Sequence, residues 1–139
     1  MELLKSSCKY GFNKLSNKLN LKDFECKKIL MGYNEYNGGK NRVRNIYVIP
    51  NTNKQIGCIE YDQKTGAIGY CYVDEDYRYK TLGTQMLDEV KEELRKNNIK
   101  KMYMYSNAKE IENKAKKDTN IKRFERGIYY SPLYEINIA

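Results

Sequence analysis

The stretch Val73-Asp74-Glu75-Asp76-Tyr77-Arg78-Tyr79-Lys80-Thr81-Leu82-Gly83-Thr84-Gln85-Met86-Leu87 decides the fold. Before it the apolar residues alternate in pairs, the period of a strand. After it Leu82, Met86, Leu87, Val90 and Leu94 fall on one face of a helix that Asn97-Asn98 stop. A strand that runs through a loop straight into a helix exposes successive unpaired backbone N–H groups at the positive end of the helix dipole. Such a junction is an anion site. Arg78 and Lys80 stand beside it, and the small residue Gly83 lets a pyrophosphate approach the backbone closely.

Working outward, Val43, Asn45, Tyr47 and Ile49 alternate with Arg44, Ile46 and Val48, and Pro50-Asn51-Thr52-Asn53 supplies a turn. Gln55 to Tyr61 reads as a second strand, and Asp62 to Gly66 turns it into a third, Ala67 to Val73. Links this short imply an antiparallel meander. Further upstream, Leu4, Cys8, Phe12, Leu15 and Leu19 recur at helical spacing. Asn20 with Asp23 has the form of a capping box opening a second short helix through Leu21, Phe24 and Lys28 to Leu30, which Gly32 ends before the polar loop Asn34 to Lys40. Downstream, Ile99 to Tyr105 resumes a strand, Ala108, Ile111 and Ala115 suggest a weaker helix, and Gly127 to Ile138 has the composition of one or two closing strands. No repeat, low-complexity tract or linker interrupts this order, so one α+β domain over residues 1–139 is expected.

A chain of 139 residues and 16.5 kDa suits one domain and leaves no room for a second of ordinary size. With 40% hydrophobic residues, 32% charged residues and a mean hydropathy of −0.86, it reads as globular. No apolar run approaches the roughly 20 residues that cross a bilayer, and Met1-Glu2-Leu3-Leu4-Lys5 leads into polar residues, so no membrane association and a cytoplasmic location are expected. Histidine is absent, which removes the commonest general base, the commonest zinc ligand and every Ser/His or Cys/His nucleophile. No metal is expected, and catalysis must use carboxylates, Tyr, Cys, Lys or backbone amides. Cys8, Cys26, Cys58 and Cys71 form no C-x-x-C pair and read as buried reduced thiols. The net charge of +8 is uneven: residues 1–50 hold ten Lys/Arg against four Asp/Glu, 51–100 eight against nine, and 101–139 eight against five. A basic surface attracts nucleic acid, acidic segments or a phosphorylated cofactor. The basic residues are not interleaved with a recognisable DNA- or RNA-binding motif, so nucleic acid is not the expected partner, and a small nucleic-acid-binding domain stands third among the readings.

The quoted stretch also resembles the acetyl-CoA-binding motif of the GCN5-related N-acetyltransferase (GNAT) superfamily. There a strand-ending Val runs through R/Q-x-x-G-x-G/A into a helix with paired aliphatic residues. Val73, Arg78, Leu82, Gly83 and Leu87 occupy the matching places, while Tyr79 and Thr81 stand where that family usually has Gly. The order of elements agrees from about Arg42 to Ile128, and Phe124-Glu125-Arg126-Gly127-Ile128 is similar to a Y-E-K-x-G-F segment near the family's C-terminus, one residue short. The resemblance implies a GNAT-like fold, with a mostly antiparallel twisted sheet splayed between its fourth and fifth strands and flanked by helices. It implies acetyl-CoA as cofactor, with pantetheine in the splay against Cys71 to Val73 and the diphosphate over Arg78, Tyr79, Lys80, Thr81, Leu82, Gly83 and Thr84. Asn107, after the next strand, completes that set.

The implied reaction is direct transfer of an acetyl group from the thioester to an amine, on a small molecule or a peptide, with a backbone N–H near Val73 at the oxyanion. The family's frequent strand Glu is matched here by Ala67, so Glu60 is the substitute base, directly or through water. The frequent Tyr acid of the last helix is matched by Phe124, so Tyr129 or Tyr130 is the substitute acid. A homodimer is expected by family analogy alone. Ala67, Phe124 and the altered glycines favour the second reading, a GNAT-fold module that binds acyl-CoA or a protein without efficient turnover.

Overall fold

Buried residues alternate with half-exposed ones along residues 42–48, and short links over residues 49–54 and 63–67 return the chain beside itself, so these strands pair with their neighbours in sequence. The computed structural model describes residues 18–32, 41–78 and 80–139. In chain order its elements are β1 (Glu25–Leu30), β2 (Arg42–Val48), β3 (Gln55–Asp62), β4 (Ile68–Val73), α1 (Leu82–Lys96), β5 (Lys101–Tyr105), α2 (Lys109–Lys117), β6 (Ile121–Phe124) and β7 (Leu133–Asn137). Strands β1-β2-β3-β4 form one antiparallel sheet and β5-β7-β6 another. Helix α1 lies against the first sheet with Leu82, Met86, Val90 and Leu94 buried, packed with Val43, Tyr47, Ile56, Ile59 and Tyr61. Tyr47 is fully enclosed there and donates its hydroxyl to Glu89 Oε2 of α1 at 2.6 Å. Desolvation first, and that bond second, push the Tyr47 pKa far above its ordinary value. No helix among the described residues is long and apolar enough to cross a membrane.

The meander, α1, β5 and α2 stand where the sequence analysis expects them, and three expectations are corrected. The second short helix is instead a single 3-10 turn, Leu21–Asp23, followed by β1. Asn20 does cap it, accepting from the Lys22 N–H at 3.0 Å, but pairing along the whole of β2 outweighs a weak local helix signal. Lys28 of this strand reaches Glu93 of α1 at 3.5 Å, which a helix over the same residues would not arrange. The closing segment is one strand, β7, within the one or two expected, whereas Phe124 lies not on a last helix but on β6, a short strand that pairing with β7 creates. Cys58 is buried, but Cys26 and Cys71 are exposed; all three are free thiols. The expected first helix, apart from Leu19, the loop at Asn34 to Lys40 and residue Tyr79 lie outside the described residues.

Candidate functional site

Among the described residues the two sheets pair at one point. Ala67 forms a parallel bridge with Tyr103, and the Tyr103 N–H donates to the Gly66 carbonyl at 2.9 Å. Beyond that bridge no further pairing joins β4 to β5 among the described residues, so the sheet is splayed between its fourth and fifth strands. The register shows which peptides this opens. Asp74 N–H bonds back to the Ile56 carbonyl at 2.8 Å, and Gly57 opposes Val73. Strict alternation then turns the peptide groups of Cys71 and Val73 away from β3, towards the gap.

The loop after β4 is held from three sides. A 3-10 turn, Glu75–Tyr77, buries Tyr77 edge-on to Phe24, with ring centroids 6.2 Å apart. Arg78 donates from Nε to the Val73 carbonyl at 2.8 Å and lays its guanidinium 5.4 Å from the Tyr72 ring centroid. Gln85 accepts from the Leu21 N–H at 2.9 Å, and its amide donates to the Leu19 carbonyl at 2.6 Å and to Thr81 Oγ1 at 3.1 Å. This fixes the start of α1, whose first N–H groups have no intrahelical acceptor. Thr81, immediately before the helix, has left-handed backbone angles, φ 67° and ψ 7°, and makes no side-chain cap. The face of Gly83 is open: an added Cβ would meet nothing closer than Val73 Cγ2 at 3.8 Å.

From this junction a cleft of about 1200 Å³ runs between α1 and α2 over β5 and β7. Its walls are apolar at Leu87, Met104, Ile111, Ile121 and Ile136, and Arg78, Lys91, Arg95, Lys114 and Lys117 supply positive charge, against Glu110 and Asp118. Of the residues expected to bind a cofactor, Cys71, Val73, Arg78, Thr81, Leu82, Gly83 and Thr84 line it together. Lys80 does not: it is 8% exposed, and its carbonyl accepts from the Leu19 N–H at 3.2 Å. Asn107 is exposed between Ser106 and Ala108, which do line the cleft. The sequence analysis does not single out Lys91, Arg95, Lys114 or Lys117, yet Thr84, Leu87, Lys91 and Arg95 recur at the spacing of one helical face. Cys71 has an accessible surface, but its thiol sits in the cleft wall, where desolvation, and secondarily Cys58, raise its pKa to about 11.

The three residues expected to move protons are not gathered in the cleft. Glu60 is 9% exposed on β3, where Oε1 accepts Arg44 Nε at 2.7 Å and also Arg44 Nη2, and Oε2 lies 3.7 Å from Arg42 Nη2. A proton arriving at Oε1 must displace a donor already there. Tyr129 is 89% exposed between β6 and β7. Tyr130 is better placed: Arg126 stands 5.1 Å from its ring and 4.2 Å from that of Tyr105, tying it to the end of β5 that borders the gap.

A family model described as the acetyltransferase (GNAT) family matches residues 12–115. Solved structures share the fold at low identity. An acetyltransferase of the GNAT family from Staphylococcus aureus is 19% identical with a TM-score of 0.53, over 71% of this chain and 69% of that one. The PaiA N-acetyltransferase from Thermoplasma acidophilum, in complex with coenzyme A, is 18% identical with a TM-score of 0.55, over 70% and 61%. A ribosomal-protein alanine N-acetyltransferase from Escherichia coli is 17% identical with a TM-score of 0.53, over 74% and 73%. Among curated proteins none matches the chain.

Proposed function

The chain belongs to the GNAT family of acetyltransferases, and from the site it builds we propose that it transfers an acetyl group from acetyl-CoA to an amine by direct attack in a ternary complex. The observation that carries this reading is the gap between β4 and β5, which among the described residues leaves the Cys71 peptide group and the Val73 N–H without a strand partner, the Val73 carbonyl being taken by Arg78, and opens onto a cleft with basic walls. An extended amide-bearing arm can pair with that free edge as an added strand would. The residues present fit the rest of the molecule: the first N–H groups of α1 with the open face of Gly83 suit a diphosphate, and Lys91, Lys114 and Lys117 suit a further phosphate. Bound there, acetyl-CoA supplies an activated acyl thioester.

In this reading the protein's own residues orient that thioester and move the protons. The Val73 N–H polarises the carbonyl oxygen, a contribution of about 2.7–4 kcal/mol where one such donor acts on developing charge. Tyr130, tied to the end of β5, supplies a proton to the departing sulfur. Glu60 accepts one from the amine through water. The direct route needs no acyl-enzyme, which leaves the cysteines without a chemical role. The clamp of Arg44 on Glu60 favours a second reading, acyl-CoA binding without efficient turnover.

Calorimetry with acetyl-CoA, and thiol release against a panel of amines, test both. The parent should bind acetyl-CoA and release thiol, and Glu60→Gln or Tyr130→Phe should lower turnover about 10²-fold with little change in acetyl-CoA affinity. Tyr129→Phe is the control. Absence of acetyl-CoA binding rejects the family reaction for this chain; binding without thiol release on any amine selects the second reading.

A further inference from the structure

On the sheet face opposite α1, two arginines share one carboxylate. Gly57 of β3 faces Met86 of α1, and Cys71 and Val73 of β4 line the cleft, so alternation puts Glu60, Tyr70 and Tyr72 on the other face. Arg44, directly opposite Glu60 on β2, and Arg42 share that face. Glu60 takes two donors from Arg44 on one oxygen and lies 3.7 Å from Arg42 on the other. The side chains are 12%, 37% and 18% exposed for Glu60, Arg44 and Arg42, and among the described residues Glu60 is the one carboxylate within 4 Å of either guanidinium, because Asp62, opposite Arg42, gives its Oδ1 to the Lys64 and Thr65 N–H groups. Arg42 Nε is buried with no hydrogen-bond acceptor. The arrangement is built into the backbone: Arg42 lies over Gly69, where a Cβ would fall 1.6 Å from Nη2. Beside it Tyr70, half-exposed, stacks on Tyr72 with centroids 6.3 Å apart and planes 9° from parallel. These rings stand on β4, the strand that borders the gap, and the arginine pair is about 5–10 Å further in at the usual strand spacing.

We propose that this face receives the acceptor, and that the acceptor is an amine carrying an anionic group, a carboxylate or phosphate, which binds Arg44 with Arg42 behind it while its apolar body covers Tyr70 and Tyr72. The inference rests on the acetyltransferase reading, since it is an acyl-CoA filling the cleft that leaves the opposite face as the acceptor's approach. Arg44 spends Nε and one Nη2 N–H on Glu60 and keeps its remaining N–H donors, at a 37% exposed side chain, for an oxyanion, while the two guanidiniums together repel a second cation. Glu135, which opposes Tyr103 on the same side, is already paired with Lys101 at 3.4 Å and does not reverse the sign of the face. Polycationic amines are therefore the wrong class.

The test compares matched amines on the full chain: phenylalanine against 2-phenylethylamine, O-phosphoethanolamine against ethanolamine, and spermidine. Binding to protein saturated with desulfo-CoA is measured by calorimetry, and turnover by thiol release from acetyl-CoA. The anionic member of at least one pair should bind about tenfold or more tightly than its neutral match, and which pair responds separates carboxylate from phosphate. Arg44→Gln should erase that gap while desulfo-CoA affinity holds, and Arg44→Lys, which keeps the charge without the fork, should restore part of it. Gly69→Ala, which expels Arg42 without touching Arg44, should narrow it. Equal affinities within each pair, or a preference for spermidine, overturn the proposal with acyl-CoA binding intact; failure of desulfo-CoA to bind overturns the acetyltransferase reading itself.

Discussion

Gly66→Ala attacks the point where the two sheets pair. Gly66 has φ +77°, and a Cβ there would lie 2.2 Å from the Lys101 carbonyl oxygen, 3.2 Å from its carbon and 3.3 Å from Ile99 Cγ2. The first contact is with backbone, so no rotamer change relieves it, and the turn must withdraw from β5. Withdrawal breaks the bond from Tyr103 N–H to the Gly66 carbonyl, now 2.9 Å, at about 1 kcal/mol. The left-handed conformation costs an L-residue about 1–2 kcal/mol, of which the lower entropy of the unfolded alanine chain returns roughly 0.4–1 kcal/mol. With residual strain at the contact, destabilisation of about 2–3 kcal/mol is expected, a fall in Tm of roughly 6–12 °C for a domain of this size. Gly32→Ala is the internal control: φ is +71° but nothing lies within 4 Å of the added carbon, so it carries the conformational cost alone, about 1 kcal/mol. Urea unfolding of the parent and both variants, extrapolated linearly, measures the difference. If Gly66→Ala is no less stable than Gly32→Ala, the close approach of the turn to β5 is not what joins the sheets. Because the same contact sets the base of the gap, Gly66→Ala should also weaken acyl-CoA binding, whereas Gly32→Ala should not.

Gln85→Leu removes two hydrogen bonds that tie Leu19 and Leu21 to the start of α1 and a third to Thr81 Oγ1, and should cost about 2 kcal/mol in urea unfolding; Gln85→Glu keeps the bond from the Leu21 N–H but loses both donations, so it should fall between, and a Leu variant as stable as the parent contradicts the role. Gly83→Leu should abolish acetyl-CoA binding in calorimetry while leaving the circular dichroism melt unchanged, since its Cβ has room and only the longer side chain enters the cleft; undiminished affinity refutes the diphosphate position. Desolvation holds the Cys71 thiol protonated up to about pH 11, against an ordinary 9.0, so at pH 8 its alkylation should run roughly 100-fold slower than that of an ordinary thiol and rise as pH approaches 11. Alkylation at the ordinary rate, or an acetyl thioester trapped on Cys71 during turnover, contradicts that placement.

What was legible in the sequence is what short-range periodicity controls. The alternation from Val43 to Val73 and the helical face of Leu82, Met86, Val90 and Leu94 each report one element's own burial, and each is found in place. The resemblance carried the splay and the cleft residues at the β4–α1 junction, but not the basic residues of α1 and α2. What failed depends on partners distant in sequence. Leu21 to Leu30 has too few apolar residues to choose between helix and strand alone, and pairing with β2 makes the choice. Ile121–Phe124 becomes a strand because β7 runs beside it, a fact absent from the four residues themselves. The pairing of Glu60 with Arg44 and Arg42 was not legible, because nothing local to Glu60 announces arginines sixteen to eighteen positions earlier on the neighbouring strand. Lys80 looked like a phosphate ligand by adjacency, but the chain turns at this point and buries it.

Thr81 shows how a departure from a family's pattern is accommodated. The resemblance places a glycine at this position, where a left-handed backbone carries no steric cost, and this chain adopts that conformation with a β-branched residue, at φ 67° and ψ 7°. A cost of about 1–2 kcal/mol at one residue survives only where the surroundings over-determine the geometry. They do so here: Thr81 Oγ1 accepts from Gln85, the Thr81 carbonyl accepts from the Gln85 N–H at 3.1 Å, and the same Gln85 amide reaches back to Leu19. The hydroxyl that a glycine lacks thus joins the network that fixes the first turn of α1, and although Thr81 lines the cleft beside Gly83, the position open to a close approach is Gly83, two residues on. A small side chain at position 81 and none at 83 is the division of labour this geometry requires. With the diphosphate placed as proposed, a threonine at 81 is compatible with the site, whereas a side chain at Gly83 is expected to block it.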